Sequence, residues 1–344
     1  MLFTLVPPAA DPAPIFELFR GTYATELLTA AVAHFNIFGR LAQAPATQRE
    51  LAAEVNLAER PMTVLVTALR AMGLIARNGS GLLTLTATAR AHLVPGAAHD
   101  VGDYIGLAAQ APGVLTMVER LKTNRPADAG GGAAFIYRDG IASAMEAEES
   151  ARHFTLALAG RARNVAPVLA DKIAVEGRLI DVAGGTGLYS IAFLQRRPQL
   201  RATVVDRPEV LKVAEEMART HGVADRLTLH AADMFRDPLP RGEAVLLSNV
   251  LHDWDVAECR LLLERCAKAL TPGGRLLIHD VFLSDDLDGP LPIALYSAAL
   301  FTLTEGRAYS AAEYRGWLRE MGLEAGDVMP TLIHCGVLSA CVGP

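Results

Sequence analysis

The sequence predicts an α/β protein in which a doubly wound, mostly parallel sheet follows a mainly helical N-terminal region. From Leu179 onward, short apolar runs alternate with segments of helical spacing, which is typical of parallel strands whose connecting helices cover both faces of a sheet. The first of these strands ends in a glycine-rich turn, and a helix should begin directly after it at Leu188. Ligands of such sheets bind at the carboxyl ends of the strands, so we expect the functional site there.

The N-terminal region predicts helices followed by a β-hairpin. Apolar residues recur at helical spacing over residues 15–41, and a capping box at residues 47–50 should begin a second helix. Pro61 is expected to open a longer helix that ends at Gly73, and the turn at residues 78–81 lies between two apolar runs. Two helices and a hairpin in this order are typical of a winged helix.

Winged helices commonly bind DNA, but the charge of this segment argues against that function. Residues 47–94 contain five basic and three acidic side chains and no lysine, which is a weak footprint for neutralising phosphates. The whole chain has a formal charge of −6, which also disfavours nucleic acid or an acidic membrane surface as a partner. A winged-helix regulator is therefore only a remote alternative.

Three other segments lie before or after the winged-helix pattern in the sequence. Residues 1–10 contain two adjacent prolines and are expected to form a loose arm. The glycine-rich stretch 128–132 should connect two elements rather than hold a phosphate, because no strand precedes it. Helical spacing then resumes over residues 142–173 and leads into the sheet.

The first two strands of the sheet indicate a nucleoside-cofactor site. Residues 178–187 run from a buried strand into a turn whose glycines let a ligand approach the backbone, namely Gly184, Gly185 and Gly187. The next strand ends about twenty residues later at Asp206, where a carboxylate can accept hydrogen bonds from both ribose hydroxyls. Such turns bind dinucleotides, nucleotides and S-adenosylmethionine alike, so other residues must indicate which of these ligands is bound.

Three downstream segments narrow the choice. After the third strand, Asp233, Met234 and Phe235 offer an acid for the edge of an adenine and apolar cover for its face. After the fourth strand comes Leu-His-Asp-Trp at residues 251–254, and residues 271–274 should break a helix before the fifth strand. This order resembles the S-adenosylmethionine-dependent O-methyltransferases of the plant caffeate and bacterial natural-product type, over nearly the whole chain.

The resemblance implies a fold, a cofactor and an assembly. It implies a Rossmann-like methyltransferase sheet with an antiparallel hairpin at its edge, which suits the last two apolar runs, 325–329 and 332–342. It also implies binding of S-adenosyl-L-methionine and a homodimer formed through the winged-helix module. We expect a dimerisation domain, a helical linker with pocket helices, and a catalytic domain at residues 1–110, 111–174 and 175–344.

His252 is the expected catalytic base, because the resembled family uses the histidine of its Leu-His-Asp-Trp segment in this way. An imidazole that is largely neutral at pH 7 suits the removal of a hydroxyl proton. The alternative is a histidine that only caps the helix starting near Asp255. Asp280 lies where the family places an acid that fixes the histidine tautomer, and its alternative is an aspartate that only begins a loop. Asp181 is expected to orient the turn or to reach the amino acid end of the cofactor.

The chain departs from the family pattern at three positions. Ala308 stands where the family has a second acid, which leaves one acid beside the base unless Glu305 or Tyr309 reaches in. Ala183 replaces the first glycine of the turn, which is tolerable if its φ is negative. Ser248 stands where plant members have a lysine, and we expect it to be a possible polar contact to the cofactor.

The acceptor pocket should have mostly apolar walls. The candidate wall residues are Phe154, Leu158, Tyr296 and Phe301, although residues at helical spacing are more often core. Such walls favour a flat aromatic or polyketide-like acceptor. The predicted function is therefore O-methylation of a small aromatic hydroxyl. The alternatives are C- or N-methylation or another changed reaction, suggested by Ala308, and, least favoured, a dehydrogenase.

Composition predicts a globular cytoplasmic enzyme without a metal. Hydrophobic residues make up 51% of the chain and charged residues 20%. No apolar run reaches the roughly 18 residues of a membrane span, and the first basic residue is Arg20, which argues against a signal peptide. The four cysteines lack the close pairs that zinc sites use and should remain thiols.

Overall fold

The computed structural model describes residues 3–125 and 148–342, which fall into two compact units interleaved along the chain. The sheet unit consists of residues 3–14, 148–282 and 311–342, and the helical unit of residues 15–125 and 283–310. These units differ from the three consecutive segments expected from the sequence. Residues 283–310, expected in the catalytic domain, belong to the helical unit, and residues 148–174, expected in a separate linker, belong to the sheet unit.

The first described part of the chain contains the predicted helices and hairpin. Its elements are α1 (Ala13–Arg20), α2 (Thr22–Thr29), a π-helical turn (Ala30–His34), α3 (Ile37–Gln43), α4 (Gln48–Val55), α5 (Glu59–Ala71), β1 (Ile75–Arg77), β2 (Leu83–Leu85), α6 (Ala87–His92), α7 (Gly102–Gly106) and α8 (Pro112–Thr123). Thr47 and Glu50 form the predicted capping box of α4, and β1 pairs with β2. The stretch 15–41 is divided among several helices, with Asn36 in the left-handed region before α3.

The second described part contains the predicted alternation of strands and helices. Its elements are α9 (Glu148–Lys172), β3 (Arg178–Val182), α10 (Leu188–Arg196), β4 (Arg201–Asp206), α11 (Pro208–Thr220), β5 (Leu227–Ala231), β6 (Gly242–Ser248), a 3₁₀ turn (Leu251–Asp253), α12 (Val256–Lys268), β7 (Leu270–Leu283), α13 (Leu291–Leu303), β8 (Tyr309–Ser310), α14 (Ala311–Glu320), β9 (Leu323–Ala325), β10 (Met329–Pro330) and β11 (Cys335–Val342). Residues 271–274 already lie within β7, so the helix ends earlier than expected. The predicted connection at 128–132 and the start of the helix predicted over 142–173 lie outside the described residues.

The sheet has a parallel centre and an antiparallel edge, as predicted. The central strands run in the order β7-β6-β3-β4-β5, and each pairs in parallel with its neighbours. β11 pairs antiparallel with β7, and β9 and β10 pair antiparallel with β11. Because the strand order changes direction at β3, the carboxyl ends of β3, β4 and β6 border the crevice in which such sheets bind ligands.

α13 belongs to the core of the helical unit. Its segment LPIALYSAALFTL contains no charged residue, and a helix that is apolar on all sides is stable in water only when it is buried. Ala298 and Phe301 are fully buried in one cluster with Met62, Leu65 and Leu69 of α5. This burial explains why a segment distant in sequence completes the N-terminal core.

The N-terminal arm is bound to the sheet unit rather than loose. His221 Nδ1 and Gln195 Nε2 hydrogen-bond the carbonyl oxygen of Phe3 at 2.5 and 2.8 Å, and the N–H of Leu5 donates to Gln195 Oε1 at 2.8 Å. The side chain of Leu5 is buried. The expectation of a loose arm is therefore wrong for these residues, because prolines prevent regular structure without preventing hydrogen bonding.

Candidate active site

The glycine turn after β3 is built over the buried carboxylate of Asp181. Ser190 Oγ, in α10, donates a hydrogen bond to Asp181 Oδ2 at 2.8 Å. A Cβ added to Gly184 would stand 2.7 Å from Asp181 Cγ, so only glycine fits this close approach. Burial raises the pKa of Asp181 to about 7. Gly185 and Gly187 follow with φ values of 58° and 70°. These contacts favour the expectation that Asp181 orients the turn.

Ala183 does not meet the condition of a negative φ under which its methyl group would be tolerated. Its φ is 54°, in the left-handed region, which costs a residue with a Cβ about 1–2 kcal/mol. Its N–H donates to the carbonyl oxygen of Val205 at 2.8 Å, which ties this strained residue to the neighbouring strand. The turn thus keeps its backbone path without the glycine that the family has here.

Asp206 ends β4 beside this turn. Its Oδ2 accepts the N–H of Gly185 at 2.9 Å, and its Oδ1 accepts the N–H of Arg207 at 2.8 Å. Burial raises the pKa of Asp206, and these backbone hydrogen bonds oppose the rise. Because each carboxylate oxygen has two lone pairs, one acceptor position on each oxygen remains for a ribose hydroxyl. The bond to Gly185 also fixes the turn itself, a role that the sequence did not indicate.

The loop after β5 presents apolar surface beside an acid. The N–H of Phe235 donates to Asp233 Oδ1 at 2.8 Å, which fixes the loop. Asp233 is exposed, whereas Met234 and Phe235 are half-buried. The rings of Phe235 and Trp254 meet edge to face, with centroids 4.6 Å apart. An adenine site needs this combination of a flat apolar contact and a polar edge.

His252 and Asp280 form a buried pair at the carboxyl ends of β6 and β7. His252 Nδ1 lies 2.5 Å from Asp280 Oδ1, and the two residues are only 4% and 1% exposed. The N–H of Val281 donates to the same oxygen at 2.8 Å. The cap of α12 is Asp255, whose side chain accepts the N–H of Val256, so His252 is not that cap. Asp280 thus holds the imidazole in the orientation that a base requires.

Asp253 is a second carboxylate near the imidazole, which the sequence indicated only as a neighbour. Its Oδ1 lies 3.6 Å from His252 Nε2, on the side opposite Asp280. Burial lowers the pKa of His252, but the charges of Asp280 and Asp253 and the hydrogen bond to Asp280 outweigh burial and leave the pKa above its ordinary value. Burial raises the pKa of Asp253 to about 6. The 3₁₀ turn over Leu251–Asp253 brings the two side chains together, and sequence adjacency was the only signal.

Comparison with known proteins shows which protein family has a site of this kind. The profile of a family described as an O-methyltransferase domain matches residues 138–324. The chain is also 36% identical over 321 residues to a 3-hydroxy-5-methyl-1-naphthoate 3-O-methyltransferase of Streptomyces sahachiroi, a match that covers 92% of this chain and 90% of that protein. The chain belongs to the O-methyltransferase family.

Solved structures agree with this assignment. A family 2 O-methyltransferase from Planctomyces limnophilus DSM 3776, solved in complex with apigenin, is 47% identical with a TM-score of 0.89 and coverage of 98% of both chains. The neocarzinostatin-biosynthesis enzyme NcsB1, solved with S-adenosylmethionine and a naphthoic acid, shares the fold at 24% identity, with a TM-score of 0.57 and coverage of 93% of this chain and 96% of that chain. The protein is an S-adenosylmethionine-dependent O-methyltransferase with the predicted Rossmann-like fold. The relatives named above are methyltransferases rather than regulators or dehydrogenases.

A pH profile tests the electrostatics of the pair in this O-methyltransferase. Asp280→Asn removes both the charge and the ionic hydrogen bond that raise the pKa of His252, whereas burial, which lowers it, remains. The base predicted from the sequence, His252, must be unprotonated to act, so the acid limb of the kcat/KM profile should move to lower pH while the maximal rate falls. Asp253→Asn should shift the limb in the same direction by less, because its carboxylate is farther away. A shift to higher pH in Asp280→Asn would contradict this account.

The predicted pocket residues divide between the two units. Phe154 and Leu158 lie on α9, with Phe154 half-buried and Leu158 57% exposed. Tyr296 is half-buried on α13, and the guanidinium of Arg20 lies 3.7 Å from its ring centroid. Phe301 is fully buried in the helical core, which favours the core alternative for this residue. The pocket role of the other three stays a prediction.

Ala308 is fully buried in the helical unit. Its N–H donates to Ser297 Oγ at 3.1 Å, and the neighbouring Arg307 guanidinium lies 4.3 Å from the Tyr309 ring centroid. A glutamate at this position would have to displace packed atoms. We therefore expect Ala308→Glu to destabilise the protein, rather than to add the family's second acid at no cost.

Ser248, expected as a possible cofactor contact, lies in a polar cluster that the sequence did not predict. Its Oγ is 2.8 Å from Nδ1 of the fully buried His279 and 3.1 Å from Asn249 Nδ2. The signal that could have found this cluster is a histidine directly after three apolar residues of a buried strand. Among residues 3–125 and 148–342, no helix has the length and hydropathy to cross a membrane, and no group of three or more potential ligands could hold a metal.

Proposed function

We propose that this O-methyltransferase methylates a hydroxyl of a flat aromatic or polyketide-like acceptor, with His252 as the general base. The observation that carries the proposal is the buried His252–Asp280 pair at the strand ends that border the cofactor turn. Asp280 accepts the Nδ1 proton, so the lone pair of the neutral imidazole is on Nε2, the nitrogen that would take the proton of the acceptor.

The residues around the turn fit S-adenosylmethionine. Asp206 would hold the ribose, and Met234 and Phe235 would cover the adenine with Asp233 at its edge. The turn that would carry the ligand has a fixed path, because Gly184 packs against Asp181 and the N–H of Gly185 is bonded to Asp206. When bound, the cofactor supplies a methyl group on a positively charged sulfur.

The chain's own residues would move one proton. Nε2 of His252 would take the proton of the acceptor hydroxyl, so that the hydroxyl oxygen could receive the methyl group that the bound cofactor would supply. Asp280 and Asp253 flank the resulting imidazolium and stabilise its charge, which offsets the cost of burying it. Asp253 thereby supports the charge in a chain that has Ala308 where the family has a second acid.

The names of relatives support an aromatic acceptor. One relative methylates a hydroxynaphthoate and another was solved with the flavone apigenin. We expect methyl transfer, followed by mass spectrometry, to modify 2-naphthol and apigenin but not the matched amine 2-naphthylamine. Exclusive methylation of the amine would favour the N-methylation alternative, and modification of neither class would count against aromatic acceptors.

We further propose a homodimer formed through the N-terminal helices, with a second copy of the chain as the partner. Ile15, Leu18 and Phe19 are 69%, 84% and 79% exposed and form an i, i+3, i+4 stripe on α1. Tyr104 and Leu107 are 78% and 80% exposed in the same unit. Large apolar side chains exposed together are typical of an interface.

Light scattering tests the dimer. The wild-type protein should give about twice the 36.6 kDa of one chain at micromolar concentration, and the double variant Leu18→Glu with Phe19→Glu should give one chain. Leu261→Glu, which changes an exposed leucine of the sheet unit, should stay dimeric. A wild-type monomer would rule the interface out.

We also propose that the enzyme works in the reducing cytoplasm. Cys259, Cys266, Cys335 and Cys341 are all in the thiol form, three of them buried, which suits such a compartment.

A further inference from the structure

A network of hydrogen-bonded side chains lies at the carboxyl end of β6, and it is called a chain of side chains below. It starts at α9, where Arg161 NH1 donates to Asn249 Oδ1 at 2.5 Å. Asn249, the first residue after β6, has its Nδ2 3.1 Å from both the hydroxyl of Tyr189 and Ser248 Oγ. The left-handed φ of 56° at Asn249 turns its amide into this position.

The chain continues through His279, a buried histidine that the proposed reaction does not use. Ser248 Oγ is 2.8 Å from His279 Nδ1, and Thr331 Oγ1 is 3.0 Å from His279 Nε2. The ring also packs against Tyr189, with centroids 5.3 Å apart. Burial lowers the pKa of His279 to about 3, so the imidazole is neutral.

The guanidinium of Arg161, at one end of this network, fixes the orientation of the Asn249 amide. A guanidinium can only donate, so Asn249 turns its oxygen to Arg161 and its NH₂ group to Ser248 and Tyr189. Ser248 Oγ and Thr331 Oγ1 each hydrogen-bond one ring nitrogen of His279, so the neutral imidazole donates one of these two bonds and accepts the other.

The order of strands places this chain at one end of the cofactor. The proposed adenine contacts follow β5 and the ribose contact ends β4. β3 and β6 come next in the sheet, followed by β7 with Asp280. The amino acid part of the cofactor therefore falls over the ends of β3 and β6, where Asn249 and Arg161 meet.

We propose that His279 is a positioning residue for the amino acid end of the cofactor. Through Ser248 and Asn249 it holds the guanidinium of Arg161 in one orientation, in which this cation can bind a carboxylate. The assignment rests on the proposed cofactor site, and it gives a role to a residue that touches neither the cofactor nor the acceptor.

Two ligands that differ only at this end test the proposal. S-adenosylhomocysteine carries the carboxylate, and 5′-methylthioadenosine has the same nucleoside thioether without the amino acid part. Calorimetry should show that His279→Leu raises the Kd for S-adenosylhomocysteine about tenfold, the size of one ionic hydrogen bond, and leaves the Kd for methylthioadenosine unchanged. His279→Gln should restore binding, since its amide, like the neutral imidazole, can both donate and accept a hydrogen bond.

Each other result has a definite meaning. Equal weakening of both ligands, or of neither, in folded His279→Leu would overturn the positioning role. If that variant does not fold, Thr331→Val tests the far end of the chain and should weaken S-adenosylhomocysteine alone, by about two- to threefold. An unchanged Kd in Thr331→Val would then overturn the proposal. A wild-type protein that does not bind S-adenosylhomocysteine would instead overturn the cofactor site itself.

Discussion

Replacing His252 with alanine should lower turnover by about 10²–10⁴-fold, the usual contribution of a general base. The affinity for S-adenosylhomocysteine should stay within about threefold of the wild type, because His252 is not among the residues proposed to hold the cofactor. Single-turnover rates and calorimetry would measure the two effects separately.

His252→Gln is the matched control for the loss of packing. A glutamine fills similar space and can donate to Asp280, but it cannot take up a proton, so its rate should fall as far as that of the alanine variant. If either variant retains near-normal rates on the native acceptor, His252 is not the base. Catalysis would then rest on the alignment of the acceptor and the methyl group.

Replacing Asp206 with alanine should weaken cofactor binding by about 1.5–3 kcal/mol, which corresponds to roughly 10- to 150-fold in Kd. Two effects contribute. The ribose loses a charge-assisted acceptor, and the N–H groups of Gly185 and Arg207 lose the oxygens that fix the turn. Calorimetry with S-adenosylhomocysteine measures the sum.

Two further variants separate these effects. Asp206→Asn keeps one acceptor oxygen for the turn but loses the charge, so its affinity should lie between those of the wild type and the alanine variant. Glu209→Ala removes a nearby carboxylate in the first turn of α11 and should bind normally. Unchanged affinity in Asp206→Ala would remove Asp206 from the proposed site.

The sequence predicted the sheet well because its signals are local. The strand, the glycine turn and the terminal carboxylate of Asp206 lie within one short segment, and the apolar runs fix which strands are buried. The pairing of His252 with Asp280 was predicted through the resemblance, which supplied contact information that the spacing of the two residues does not contain.

The remaining features depend on contacts between distant segments. Asp253 lies close to Nε2 of His252 only because a 3₁₀ turn brings the two side chains together. The neutral state of His279 follows from its burial, which no local sequence pattern indicates. An alanine at position 183 was tolerable only at negative φ, and the sequence could not show that the hydrogen bond to Val205 holds it in the left-handed region. Phe301 was predicted as a pocket residue because helical spacing does not distinguish a core ring from a pocket wall.

The interleaving of the two units has a consequence for synthesis in the cell. α5 is made early, but Ala298 and Phe301, which share its core, leave the ribosome only after β3 to β7 have been completed. The nascent N-terminal segment therefore exposes an apolar surface for most of translation, when it is open to aggregation or chaperone binding. A fragment beginning at residue 175 would likewise carry the wholly apolar α13 without its partner helix, so neither half of this polypeptide is a self-sufficient folding module.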